Sequence, residues 1–139
     1  MGESFYTFPT PEKLASLTLD ELSVIRAGFR DKYILAASKL IASGEFNLDS
    51  LKALSSNDAK AGLLKLNGVG NKVADCVLLF GLGKYDSFPI DVWVKRIMEH
   101  CYFDGSETPI PEISKLATEL FGEYGGYAQQ YLFYWAREN

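Results

Sequence analysis

The sequence is poor in side chains that hold metals. It has two cysteines, Cys76 and Cys101, and one histidine, His100. With no CxxC pair these cannot complete a four-ligand zinc site. Nor can two thiols hold an iron–sulfur cluster that needs four. A disulfide between them is disfavoured in a reducing compartment. Basic residues are not in excess either: 14 Lys and Arg stand against 18 Asp and Glu, a formal net charge of −4. A broadly cationic nucleic-acid binder is excluded, so any such role must come from a local site acting against an unfavourable overall field. No apolar run approaches the roughly 20 residues of a membrane span. The start, Met1-Gly2-Glu3-Ser4, lacks the basic and apolar regions of a secretory signal. The expected compartment is the cytoplasm, at the nucleoid in a prokaryote.

What is present fits one helical domain over residues 1–139. The chain is 47% hydrophobic and 23% charged, enough to bury a core without disulfides and too ordered in composition for disorder. Strand signals are weak, with no clean alternation. Helical signals recur. Thr10-Pro11 reads as a cap followed by proline at the first helical position. Thr18 to Glu21 is a capping box. Phe29, Tyr33, Ala36, Ala37, Leu40 and Ile41 form one stripe ending at Gly44. Ser55 and Ser56 start a further helix. A buried helix is expected from Asn71 to about Gly81, and another from Asp91 with Val94, Ile97, Met98 and Cys101 inward. Ile110–Phe121 follows, Gly125-Gly126 breaks the chain, and a last helix carries Tyr127, Tyr131, Leu132 and Trp135. The expected fold is all-α, about seven or eight short helices in a compact bundle. Leu82–Ile90 is its one substantial irregular stretch.

The sharpest local feature is Leu66-Asn67-Gly68-Val69-Gly70-Asn71-Lys72-Val73-Ala74. Glycine tolerates positive φ and close backbone approach, and the amides at the next helix start favour an anion such as a phosphate diester. An ordinary helix–helix turn with no ligand has the same pattern. Lys72 and Cys76 are four apart and share a helix face. A lysine at the positive end of a helix suits a nucleophilic amine, and it equally suits a side chain that snorkels into water. Nineteen residues on, Asp91 in Phe88-Pro89-Ile90-Asp91-Val92-Trp93 reads as a helix N-cap. A carboxylate held that firmly is also placed to stabilise positive charge developing on a sugar.

These segments together are similar to the HhH-GPD DNA glycosylases, and most of all to the 8-oxoguanine glycosylase/lyase family. Gly68-Val69-Gly70-Asn71-Lys72-Val73-Ala74-Asp75-Cys76 resembles the helix-hairpin-helix, and Phe88-Pro89-Ile90-Asp91-Val92 the Gly/Pro…Asp loop. Gly28-Phe29-Arg30-Asp31-Lys32-Tyr33 and Gly126-Tyr127-Ala128-Gln129-Gln130-Tyr131-Leu132-Phe133 resemble flanking segments in family order. The resemblance implies that Lys72 attacks C1′ of a damaged nucleoside and forms a Schiff base that permits β-elimination, and that Asp91 stabilises the oxocarbenium-like charge. It implies a pocket for a flipped base, with Cys76 on one face, Phe133 on the other and Gln129 on the purine edge. Phe29 would wedge into the emptied stack and Arg30 would read the orphaned cytosine. The backbone of Gly68, Val69, Gly70 and Asn71 would hold a phosphate, with K+ or Na+ at the hairpin carbonyls near Leu66 and Gly68. No other cofactor and no iron–sulfur cluster is implied. The partner would be double-stranded DNA carrying a damaged purine or an abasic site.

Each residue also has a plainer role. Phe29 can begin a core stripe, Phe133 and Tyr131 can pack inward, Gln129 can be solvated, and Cys76 can be a small buried hydrophobe. The sequence departs from the family at Asn67, where a proline is usual, and at Trp93, where eukaryotic members carry a phosphate-contacting histidine. The family's N-terminal β-domain and first helices have no counterpart here, so a further N-terminal half is expected as a partner of this portion. Two other readings are a non-catalytic helix-hairpin-helix module or truncated remnant, and a plain helical interaction domain.

Overall fold

Short-range capping chemistry sets several helix starts. The structure, a computed structural model, describes residues 2–139, and no strand occurs among them. Helix α1 (Pro11–Ala15) begins where the Thr10 side chain accepts the Lys13 N–H, with proline at its start. Helix α2 (Leu19–Leu22) has the full capping box: Thr18 Oγ1 accepts from Glu21 N–H at 3.2 Å, and Glu21 Oε2 accepts from Thr18 N–H at 2.8 Å. Helix α3 spans Asp31–Ala42 and α4 spans Leu48–Leu51. Helix α5 (Ser56–Leu63) is capped by Ser55. Helix α6 (Asn71–Cys76) runs on into a π turn at Val77–Gly81. Helices α7 (Val92–Tyr102), α8 (Ile110–Phe121) and α9 (Gly125–Glu138) complete the chain. Two of these segments, α2 and α4, are four-residue single turns, so the expected count of substantial helices stands.

The described residues gather into two compact units. The first holds the residues up to Ser50 together with Leu66–Gly68. In it α1 packs on α3, and Gly68, at φ +83°, lies on the ring of Tyr33, 2.4 Å from where a Cβ would stand. Only glycine satisfies both the left-handed backbone and that contact.

The second unit holds Leu51–Lys65 and Val69–Asn139. Its core joins Val94 and Met98 of α7, Ile113 and Ala117 of α8, and Phe88 and Ile90 of the preceding loop. Leu132 and Phe133 of α9 pack against it. The i, i+4 spacing on α7 and α8 puts each pair on one face, and each such large side chain contributes roughly 1.5–3 kcal/mol on burial. Segment 82–90 is irregular, as expected, yet Ser87, Phe88, Pro89 and Ile90 are all buried. Backbone bonds hold it: Lys84 N–H donates to Leu78 O at 2.9 Å, Ser87 N–H to Lys84 O at 3.0 Å, and Gly126 N–H to Tyr85 O at 2.7 Å. Lys84 Nζ adds bonds to the carbonyls of Lys52 and Leu54.

Three expectations need correcting. Gly125 and Gly126 do not break the chain; they open α9. A Cβ on Gly126 would stand 2.3 Å from Leu79 Cδ1 and 2.8 Å from Tyr85 O, and one on Gly125 would stand 2.8 Å from Asp86 O. The glycines are there for close approach to the 82–90 segment. Cys101 is exposed rather than inward: it continues the 94, 97 and 98 stripe by spacing, but the core cluster reaches along α7 only as far as Met98. Tyr131 does not take the inward role open to it: it is exposed, as are Tyr127 and Trp135, since α9 turns Gln129 and the 132–133 pair toward the unit instead.

Gly126→Ala is therefore expected to destabilise the protein by about 1–3 kcal/mol through overpacking. Gly2, where a Cβ meets nothing within 4 Å and which lies outside every helix, serves as the control, and Gly2→Ala should fall within about 0.5 kcal/mol of the parent. Urea denaturation of the two variants checks the contrast.

Candidate active site

The helix at Asn71 begins with amides that have no backbone acceptor. The first bond closing its turn is Ala74 N–H to Gly70 O at 2.9 Å, which leaves the N–H groups of Asn71, Lys72 and Val73 free among the described residues. The carbonyls of Leu66 and Gly68 likewise accept no backbone hydrogen bond. No group of three His, Cys, Asp or Glu side chains that could hold a metal occurs among the described residues.

From this start α6 and the π turn that continues it carry Lys72, Cys76 and Phe80 at successive four-residue intervals. All three line a cavity of about 220 Å³ with Pro89, Asp91, Gln129, Gln130 and Phe133. The five residues expected to perform chemistry or hold a base, Lys72, Asp91, Cys76, Gln129 and Phe133, are thus brought together in the second unit. Lys72 is exposed, and among the described residues no carboxylate pairs with it. Asp91 caps α7, with Oδ1 accepting from Val94 N–H at 2.8 Å. That bond pins the side chain while the residue lines the cavity.

Charge in the cavity registers at Cys76. Burial pushes its thiol above the ordinary cysteine range; the Lys72 ammonium opposes that rise, and Asp75 and Asp91 add to it. Asp75 itself is raised by burial, against the pull of its partner Lys60, whose Nζ lies 2.9 Å from Oδ1. Lys72 and Asp91 therefore act on one thiol with opposite sign.

Gln129 is buried at 5% exposure, which rules out the solvated role. Its Nε2 donates to Pro89 O at 3.1 Å, and its Oε1 accepts from Gln130 Nε2 at 2.6 Å. Phe133 is partly buried, packed on the core and facing the cavity, with the Arg137 guanidinium 5.5 Å from its ring centroid. Sequence reasoning missed Phe80, Pro89 and Gln130. The buried helix expected to run to about Gly81 includes Phe80, yet Phe80 is 64% exposed; its spacing of four from Cys76 is the available signal.

In the first unit Phe29 is 67% exposed, on a 3-10 turn at Gly28–Arg30 that precedes α3. It is not a core residue. Arg30 lies against it, guanidinium carbon 4.9 Å from the ring centroid, and Tyr33 meets it edge-on at 6.4 Å. Gly28 takes φ +61°, which turns the chain so that this pair stands out together. Trp93 is half-exposed, with Arg96 over its ring at 5.8 Å.

No protein-family model matches the chain. It is 34% identical over 157 aligned residues to the "Probable N-glycosylase/DNA lyase" of Methanothermobacter thermautotrophicus, covering 99% of this chain and 50% of that protein. It is 30% identical to the N-glycosylase/DNA lyase of Saccharomyces cerevisiae, covering 95% of this chain and 44% of that one. Among solved structures, it superposes with a TM-score of 0.93 and 43% identity on Clostridium acetobutylicum 8-oxoguanine glycosylase/lyase, crystallised with double-stranded DNA containing cytosine opposite 8-oxoguanine. That match covers 99% of this chain and 47% of the other. The chain spans about half the length of the curated relatives it matches. No helix among the described residues is long and apolar enough to cross a membrane.

Cys76 reports the field in this cavity. Its alkylation by iodoacetamide should be slow at pH 7 and should accelerate as pH rises past the usual cysteine range, because only the thiolate reacts. Lys72→Met should slow it further and Asp91→Asn should speed it. Mass-spectrometric labelling rates, with exposed Cys101 as internal reference, measure all three.

Proposed function

From the membership of this chain in the 8-oxoguanine glycosylase/lyase family of HhH-GPD proteins, we propose that it carries the lysine chemistry of a DNA N-glycosylase/AP lyase. The observation that carries the reading is the single cavity holding Lys72, Asp91, Cys76, Gln129 and Phe133. The substrate is DNA with an oxidised purine, 8-oxoguanine, or an abasic site.

In this reading the Lys72 amine attacks C1′ as the N-glycosidic bond breaks, and the departing base takes a proton. Asp91 stabilises the positive charge that develops on the sugar, held in place by its bond to Val94. The ring-opened sugar is then a Schiff base on Lys72, and loss of a C2′ proton expels the 3′ phosphate by β-elimination. The flipped base fits between Cys76 and Phe133, with Gln129 at its edge. The free amides at Asn71–Val73 would offer a phosphate neutral donors, and the Leu66 and Gly68 carbonyls would take K+ or Na+. Phe29 and Arg30, paired and exposed, suit a wedge and a reader of the opposite base.

Because the chain spans about half of its relatives, abasic-site cleavage should survive better than base excision. Borohydride should trap a covalent adduct on an abasic duplex, and Lys72→Ala should abolish it. Asp91→Asn keeps the α7 cap and should slow trapping roughly a hundredfold. A non-catalytic DNA-binding module would bind the duplex in a salt-dependent way and give no adduct.

A further inference from the structure

Gln129 is too deeply buried to leave its amide unpartnered, so both ends must be placed. Its Nε2 donates to the Pro89 carbonyl at 3.1 Å. That contact fixes the polarity of the amide, since a carbonyl accepts only a donor and a turned-over amide would set two oxygens face to face. The Oε1 on the other side accepts from Gln130 Nε2 at 2.6 Å. Gln129 is thus held between a backbone acceptor and a side-chain donor, and both glutamines line the cavity. One N–H and one lone pair of Gln129 remain for a ligand.

A free amide reads purine edges in either sense. One orientation offers N–H to O6 and oxygen to N1–H; the other offers oxygen to a 6-amino group and N–H to N1. Fixing the polarity removes that ambiguity. We propose that Gln130 is a positioning residue which, with the Pro89 carbonyl, locks the Gln129 amide in one sense and makes the cavity prefer a 6-oxopurine to a 6-aminopurine. The proposal rests on the reading of the cavity as a base pocket for 8-oxoguanine.

The test compares binding to two otherwise identical duplexes, carrying 8-oxoguanine or 8-oxoadenine, by fluorescence anisotropy. The unmodified chain should favour 8-oxoguanine. Gln130→Glu sets an acceptor against Gln129 Oε1, and the preference should fall roughly tenfold, recovering as acid protonates the new carboxylate. Gln130→Lys supplies a donor and should keep most of the preference. Thermal unfolding of each variant separates folding loss from this pattern, because a purely structural role would move both variants' ratios in parallel with stability. The proposal is overturned if the unmodified chain shows no preference, or if the Glu and Lys variants give the same ratio. Borohydride trapping on an abasic duplex reports separately on Lys72, since no base is present there. A missing adduct with the ratio pattern intact would overturn the lyase reading alone.

Discussion

The second unit depends on one short hydrogen bond, Asp91 Oδ1 to Val94 N–H at 2.8 Å. It starts α7, and in doing so it ends the irregular segment that runs from Leu82. The register of α7 follows from where it starts, so Val94 and Met98 meet Phe88, Ile90, Ile113 and Ala117 only if the cap is made there. The same side chain lines the cavity with Lys72. A carboxylate that must hold a helix start is denied the rotamer freedom of a surface aspartate. The fold thereby fixes the anionic group before any ligand arrives, which is the preorganisation that stabilising a developing charge requires.

The 82–90 segment is the second half of that device. It has no helix of its own, yet its last residues are buried and its backbone is tied to the π turn, to α9 and, through Lys84, to two carbonyls near α4. The glycines opening α9 let that helix close on it, at distances where a Cβ would overlap backbone oxygens. The Gln129 bond to Pro89 O is made one turn further along α9. The cap and the buried amide each place a residue, Asp91 and Gln129, in the cavity.

Much of this was legible in the sequence because capping is local. Thr10, Thr18, Ser55 and Asp91 act within three residues of themselves, so their helix starts could be read without knowing any tertiary neighbour. Lys72 and Cys76 share a face by spacing alone, and Gln129 and Phe133 do likewise. What stayed hidden depends on a partner far along the chain. Gly125-Gly126 reads equally as a break or as a point of close approach, and only the carbonyls of Tyr85, Asp86 and Ser87 decide between them. Phe80 looks like core because an apolar helix carries no mark of which side faces a cavity. Gln130 sits 100° round α9 from Gln129, so helical spacing separates the two, and only the length of their side chains brings their amides together.

The charge of the chain constrains how such a site can work. At a net −4, a polyanion is repelled by the molecule as a whole, and each cation placed on it would have to act against that field. The groups that line the cavity with Lys72 are, apart from Asp91, neutral: the Gln129 amide on Pro89 O, the Gln130 amide, a thiol whose ionisation burial opposes, and the rings of Phe80 and Phe133. Neutral dipoles recognise by direction rather than by sign, so they lose little to the overall charge and gain from being rigid. Lys72 is the one cation among the residues lining the cavity, and in the proposed function it is left for covalent attack instead of affinity. In the proposed function that division of labour would let an acidic helical protein meet DNA: geometry would supply the recognition, and the single amine would stay unpaired for the covalent bond.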